Sequence, residues 1–503
     1  MTNALRTGAA AASAVIAMGL LSVGPAGASE QIIEAPADGD FLVETVGGES
    51  PEEVVGELTG EDATDISGPA FDGALANLSA GDVADLEADP RVLNVERNEP
   101  VRVSDALPGK RALASGRSDV QSQASGPAWG LDRIDQRLLP LDHSYQPVAD
   151  GTGTNVYVLD SGIDLDNAEF GSRIGRSAYV ASIGDSPGDC SGHGTHVAGT
   201  VGSSTYGVAK QTTLHSVRVL DCNGAGTTAT VVAGLNWVAQ HAGPRSIVNL
   251  SLGTARSDAV DSAVAALSAA GVVTVAAAGN DGDDACSHSP AAEPSAVTVG
   301  ALDRTDAEAD FSNTGSCVDI WAPGVAITSV RDGGGTSVMD GTSMATPHVA
   351  GALAVLWSRS PGLSASAASR ELLDQATTGA VSFGPWGSYG APNRSLYVPR
   401  AASGTAATDP TPAVAEQKPG QPTSPKVRVK GRRAVLRWRE PSSGTTTGYI
   451  VTARSAKTGK KSTRRVSGRR LVLKRLAKGK HVVLIRAYSA QGRGKALKVS
   501  FRR

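Results

Sequence analysis

Long apolar runs are nearly absent from this 503-residue chain. Beyond one stretch at the amino end, no segment approaches the ~18–20 apolar residues that a bilayer-spanning helix needs, so no membrane helix is expected downstream. Cysteine is scarce: the four are Cys190, Cys222, Cys286 and Cys317, and no CxxC or HxxxH spacing accompanies them, which argues against zinc. Glycine, at 59 residues, shows no G-X-Y period, which excludes a collagen-like chain. Carboxylates are missing from one end. Residues 421–503 hold 25 Lys or Arg and a single acid, Glu440, whereas residues 1–420 hold 22 basic and 49 acidic side chains. The overall net charge of −3 therefore conceals an acidic body and a basic tail, and a uniform single domain is excluded. A hydrophobic content of 40% excludes wholesale disorder.

What is present begins with an address. Arg6 precedes an apolar run from Ala9 to Val23 that ends in Ala26-Gly27-Ala28, a small-x-small pattern. About 15 apolar residues are too few to span ~30 Å but suit the core of a secretion signal. Residues 1–28 are expected to be a signal peptide, with an uncleaved anchor as the rival reading, and the protein to be secreted and extracellular. An even number of cysteines in an exported chain favours disulfides, and three pairings remain open.

Residues 29–121 are acidic, with 21 Asp or Glu against six Lys or Arg, and end in a Ser/Ala/Gly-rich stretch. From Trp129 to about Pro399, continuous β-branched runs such as Asn155–Leu159, Ser246–Leu250 and Val272–Val275 alternate with Ala-rich helical stretches, Ala229–His241 and Asp258–Ala270. That alternation predicts an α/β fold around a buried parallel sheet. Residues 403–424 are rich in Ala, Thr and Pro and read as a linker. From Pro425 onward, strand-like pieces recur at about ten-residue spacing.

Three segments carry chemistry. The run Val158-Leu159-Asp160-Ser161-Gly162 puts a carboxylate at the carboxyl end of a buried strand, where open α/β sheets place their crevice. The run Asp189-Cys190-Ser191-Gly192-His193-Gly194-Thr195-His196 opens a small-residue helix with a glycine-flanked histidine. The zincin pattern needs a spacing of four with a Glu between, and that is absent. The run Asp340-Gly341-Thr342-Ser343-Met344-Ala345-Thr346-Pro347-His348 opens a further helix on a serine. Alone, each has a bland reading as a turn former or cap. Together they supply orienter, general base and nucleophile for attack on an acyl carbon.

VLDSGID, HGTHVAGT and GTSMATPHVAG resemble the three signature segments of subtilisin-like serine proteases, over about 270 residues and in that family's chain order. The resemblance implies Asp160 as orienter, His193 as base and Ser343 as nucleophile, with no chemistry for His196 or His348. It implies Asn280, ending Ala276-Ala277-Ala278-Gly279-Asn280, as a donor to the oxyanion. It makes Ser251-Leu252-Gly253 and Gly224-Ala225-Gly226 the two strands that sandwich an extended substrate. Protein and peptide substrates, broad endopeptidase action and a preference for apolar P1 residues follow from it. Pro127-Ala128-Trp129-Gly130-Leu131-Asp132-Arg133-Ile134 is most similar to the proteinase K branch and its disulfide-bonded aqualysin-like members, implying bridges Cys190–Cys222 and Cys286–Cys317. The same comparison implies two structural calcium sites of oxygen-only ligands: Pro294, Ala296 and Asp319 in one, Asp132, Asp135, Gln136 and Asp142, with Ser144 beside them, in the other. No catalytic cofactor is expected.

Residues 29–121, with a core at 41–104, are similar to the inhibitor-type propeptide of these enzymes, a small α+β unit that covers the cleft as an intramolecular inhibitor. Self-cleavage is expected near Gln121 to Ser125. The peptidase domain is then 122–402. Residues 425–503 resemble a fibronectin type III module, an all-β sandwich. The expected protein is a monomeric proenzyme whose basic tail meets an anionic surface or polymer. The rival reading is a catalytically silent subtilisin fold acting as a binding or adhesion protein through that tail.

Overall fold

The computed structural model describes residues 29–32, 41–103, 126–384, 388–401 and most of 421–502. The expected signal, the stretch around Gln121 to Ser125 and most of the 403–424 linker lie outside the described residues. Among those described, no helix is long and apolar enough to cross a membrane.

A ten-stranded sheet organises the middle of the chain. Its central strands run Thr213–Arg218, Asn155–Asp160, Ser246–Leu250, Val273–Ala277, Val297–Leu302 and Ile320–Pro323, all parallel. Successive side chains of a strand point to opposite faces, and both faces are covered. Val156 and Val158 enter a core with the helices His193–Gly202 and Thr342–Arg359. Tyr157 and Leu159 enter another with the helices Thr228–His241 and Asp258–Ala269. This explains why the strands are continuously rather than alternately apolar. At one edge Ser29–Ile32 adds a parallel strand beside Ser177–Val180, and at the other Thr377–Thr378 pairs antiparallel with Arg394–Ser395.

Residues 41–97 form a four-stranded antiparallel sheet in the order Ala63–Asp65, Gly73–Ala76, Phe41–Thr45, Val92–Arg97. Helices Pro51–Thr59 and Ala80–Glu87 cover one face around Val43, Val55 and Leu86. The other face gives Leu42, Ile66, Phe71 and Leu75 to the core built on the helices Thr228–His241 and Asp258–Ala269. Both faces of the small sheet are thus covered.

The carboxyl-terminal region is all-β. A three-stranded sheet (Thr423–Lys430, Arg433–Arg439, Arg470–Leu473) and a second sheet containing Gly448–Ser455, Lys461–Val466, Lys480–Ser489 and Leu497–Arg502 bury one core around Leu436, Trp438, Tyr449 and Ile485.

Candidate active site

Asp160 is the last residue of its strand and fully buried. Burial pushes its carboxyl up, and the His193 imidazole beside it works against that shift. His193 is the first residue of its helix, entered through Gly192 at a φ of 88°, a left-handed conformation that glycine adopts without strain. The next residue, Gly194, packs so closely on the carbonyl of Gly162 that a Cβ there would collide with it. Two glycines thus bring the helix start against the strand end, and His193 Nδ1 lies 2.7 Å from Asp160 Oδ1. Asp189 locks the junction: its carboxylate accepts from Thr195 N (2.8 Å), Ser191 N (3.0 Å), Gly192 N (3.0 Å) and Ser161 Oγ (2.9 Å). Sequence reasoning missed this role, although an acid just before a helix start is a capping signal.

Ser343 is the second residue of the helix Thr342–Arg359 and buried. Its Oγ donates to the carbonyl of Ser251 at 3.0 Å. Asn280 accepts at Oδ1 from both Thr342 N and Thr342 Oγ1, each at 3.0 Å. Anchoring the oxygen makes the amide nitrogen the donor end of the side chain. The other two histidines of these motifs serve packing: His196 Nε2 meets the Ile327 carbonyl at 3.0 Å, and buried His348, its pKa lowered by burial to about 4, meets the Met344 carbonyl through Nδ1.

Between Ala225–Thr227 and Leu252–Ala255 the chain's own segment Pro100–Val103 runs as an antiparallel strand. Val103 sits opposite Leu252, Arg102 opposite Gly253 and Ala225, and Val101 opposite Gly226. Val103 N donates to Gly224 O at 3.0 Å, and Val101 is 1% exposed. The six expected sandwich residues therefore lie on or beside this ladder.

Three further side chains hold the small unit, and none was legible in sequence. Glu96 accepts from Asp258 N at 2.8 Å and Ala259 N at 3.2 Å, capping one helix. Asn98 accepts from Ala229 N at 3.0 Å, capping the next. Asn236, buried in that second helix, accepts from Ala70 N and Phe71 N and donates to Ile66 O and Phe71 O.

Disulfides join Cys190 to Cys222 and Cys286 to Cys317, the pairing the resemblance implied. The two expected calcium sets differ. Asp319, its carboxyl pushed up by burial, accepts from Thr298 N at 3.0 Å. Pro294 and Ala296 would add backbone carbonyls, so the donors these three residues offer are all oxygens, the chemistry a hard cation takes. At the other set Arg400 intervenes, pairing with Asp135 at 2.9 Å and with Asp142 at 2.6 Å. Asp132 meanwhile accepts from His143 N and Asp142 N, and Gln136 Oε1 from Asp142 N. A guanidinium already neutralises these carboxylates, so this arrangement does not fit a calcium ion on the same oxygens. Among the described residues no group of three or more His, Cys, Asp or Glu is placed to hold a metal.

Residues 151–394 match the model of the subtilase family. The chain is 47% identical over 332 residues to an extracellular serine proteinase of Thermus sp. (strain Rt41A), covering 66% of this chain and 76% of that one. It is 43% identical over 329 residues to alkaline serine exoprotease A of Vibrio alginolyticus, covering 65% of this chain but only 59% of that one. Among solved structures it is similar to a cold adapted subtilisin-like serine proteinase, with 47% identity and a TM-score of 0.52, covering 55% of this chain and 99% of the other.

Proposed function

The chain belongs to the subtilase family, and from that premise we propose that it is a secreted serine endopeptidase made as a self-processing proenzyme. Asp160 holds the His193 tautomer, His193 takes the proton of Ser343, and Ser343 Oγ attacks the scissile carbonyl carbon. The Asn280 amide and the Ser343 N–H receive the oxyanion. Collapse breaks the C–N bond, His193 protonates the leaving amine, and an acyl-enzyme remains. Water, deprotonated by His193, then releases the acid. The observation that supports this best is the pairing of Pro100–Val103 between Gly224–Gly226 and Leu252–Gly253, because a backbone ladder is how an extended peptide would be presented to Ser343.

In this reading residues 29–121 are the propeptide, and their tail blocks the cleft it occupies. Backbone pairing gives broad specificity, with an apolar P1 residue favoured. One calcium ion at Pro294, Ala296 and Asp319 would tie a loop and take no part in the chemistry. The protein works as a monomer of proteinase K type, and its tail is a fibronectin type III-like module that meets an anionic surface or polymer.

The test compares secreted wild type with Ser343→Ala by intact mass and casein hydrolysis. Wild type should lose about 120 residues, as its expected cut near Gln121 requires, and cleave casein; the mutant should keep the propeptide and be inert. If both mature alike and neither cleaves, the reading fails and a silent binding fold takes its place.

A further inference from the structure

The fold sorts the charge of the basic tail. Along Arg433–Arg439, Ala434, Leu436 and Trp438 are buried while Arg433, Arg437 and Arg439 are exposed. On the neighbouring strand Lys426 and Arg428 are exposed. The register sets Lys426 opposite Arg437, Lys430 opposite Arg433, and Arg437 opposite Arg470 of the third strand. Residues directly opposite, and those two apart along a strand, share a face. The outward face of the three-stranded sheet therefore carries five exposed basic side chains, Lys426, Arg428, Arg433, Arg437 and Arg439, on two neighbouring strands. Among the described residues every ion pair lies at or before Arg400, so none of the exposed five pairs with a described carboxylate. Like charges directly opposite weaken a sheet, and stacking them on one face disfavours the free protein unless something anionic covers it.

Two features select the chemistry of that cover. Fifteen of the 25 basic residues in 421–503 are Arg, whose planar fork pairs with phosphate through two parallel hydrogen bonds. Trp438 and Tyr449 are buried in the core, which leaves neither ring as a platform for base stacking. Outward positions on one strand repeat at ~6.8 Å, twice the ~3.4 Å phosphate rise along one strand of a duplex. We propose that this sheet face docks a phosphodiester polyanion by its backbone, without reading sequence. The proposal is independent of the catalytic reading.

The full chain carrying Ser343→Ala, titrated against a labelled random duplex of about 20 bp by anisotropy at several salt concentrations, tests it. Binding should weaken with salt, and Arg433→Glu with Arg437→Glu should lower affinity at least tenfold and reduce the log–log salt slope by about two. Arg454→Glu with Arg486→Glu, an equal charge change at exposed positions of the other sheet, should lower it less than threefold. Should the first pair unfold the tail, Lys426→Gln with Arg428→Gln reads the same face. Equal losses in both pairs, no binding at about 50 mM salt, equal binding to polyglutamate, or tighter binding to anionic vesicles would each overturn the proposal.

Discussion

Ser251 and Ser343 exchange two hydrogen bonds: Ser343 Oγ donates to Ser251 O at 3.0 Å, and Ser251 Oγ donates to Ser343 O at 2.9 Å. The second exists because of Pro347, which stands four residues after Ser343 inside the helix. Proline has no N–H to give the carbonyl one turn earlier, and Ser251 supplies the missing donor. The strand Leu252–Ala255, which Ser251 precedes, and the helix Thr342–Arg359 are thereby tied beside Ser343. Ser251→Ala leaves a buried carbonyl without this donor, a loss of about 1–3 kcal/mol. We expect kcat on a chromogenic peptide to fall roughly tenfold or more, with KM changing less. An unchanged kcat would remove Ser251 from the positioning of Ser343.

Asn280 is held by its oxygen, through Thr342 N and Thr342 Oγ1, which fixes the amide nitrogen as its donor end, and we proposed it as a donor to the oxyanion. Preorganised donors of this kind act on the transition state, and Asn280→Ala should lower kcat by roughly 10²–10³-fold while leaving KM nearly constant. Thr342→Val keeps the backbone contact and removes the hydroxyl one. It should produce a smaller loss of the same kind. Equal losses in kcat and substrate affinity would contradict the assignment.

The main fold was legible because its signals are local. Val156 through Leu159 read as a buried strand whichever face each residue takes, and the glycines around His193 advertise a close approach. Asn236, Glu96 and Arg400 were not legible. Each acts on a segment more than 130 residues away in the chain, and a lone Asn in an Ala-rich helix or a Glu in a strand looks like any solvated side chain. Arg400 carries a further lesson: the carboxylates of Asp135 and Asp142 read as cation ligands until a guanidinium from the domain's far end is found between them.

Asp319 tests the remaining calcium proposal. Calcium at a hundred times its Kd would stabilise the fold by about 2.7 kcal/mol, and a chelator should remove that increment from the thermal unfolding of the Ser343→Ala protein. In Asp319→Asn, Tm should no longer respond to calcium or chelator. A response that survives the substitution places the ion elsewhere.

Glu44 is expected to make the contact between the small unit and the main domain sensitive to pH. It stands on the strand Phe41–Thr45, and burial, with the charges of Glu96, Asp258 and Asp72, pushes its pKa up to about 7. Across a cavity of about 370 Å³ it faces Asp258, Asp261 and Glu293; Asp261, itself pushed by burial to about 6, is paired with Arg256. A carboxyl whose pKa is raised by the contact favours that contact when protonated. The stabilisation is full below about 4.5, fades as pH rises toward 7, and is gone above it. Tm of the Ser343→Ala protein should therefore fall by about 2–4 °C per kcal/mol lost over that window, and Glu44→Gln should flatten the fall. A parallel pH profile in the two proteins would exclude Glu44 as its source.

Asn236 separates holding the small unit from catalysis. Its amide makes four hydrogen bonds to Ile66, Ala70 and Phe71, at a helix position remote in sequence from Asp160, His193 and Ser343. Asn236→Ala strips partners from buried backbone groups of the 66–71 turn, whereas under the proposed maturation the enzyme freed of that turn would lose only a side chain that then faces water. The expected result is a split: the small unit becomes more readily digested by added protease in the Ser343→Ala background, by tenfold or more for a loss of ~1.4 kcal/mol, while matured Asn236→Ala keeps its kcat/KM on a short peptide within about twofold. Loss of both would mean that the helix Thr228–His241 depends on Asn236 for its own packing, and that the amide serves that helix and not the hold on the small unit.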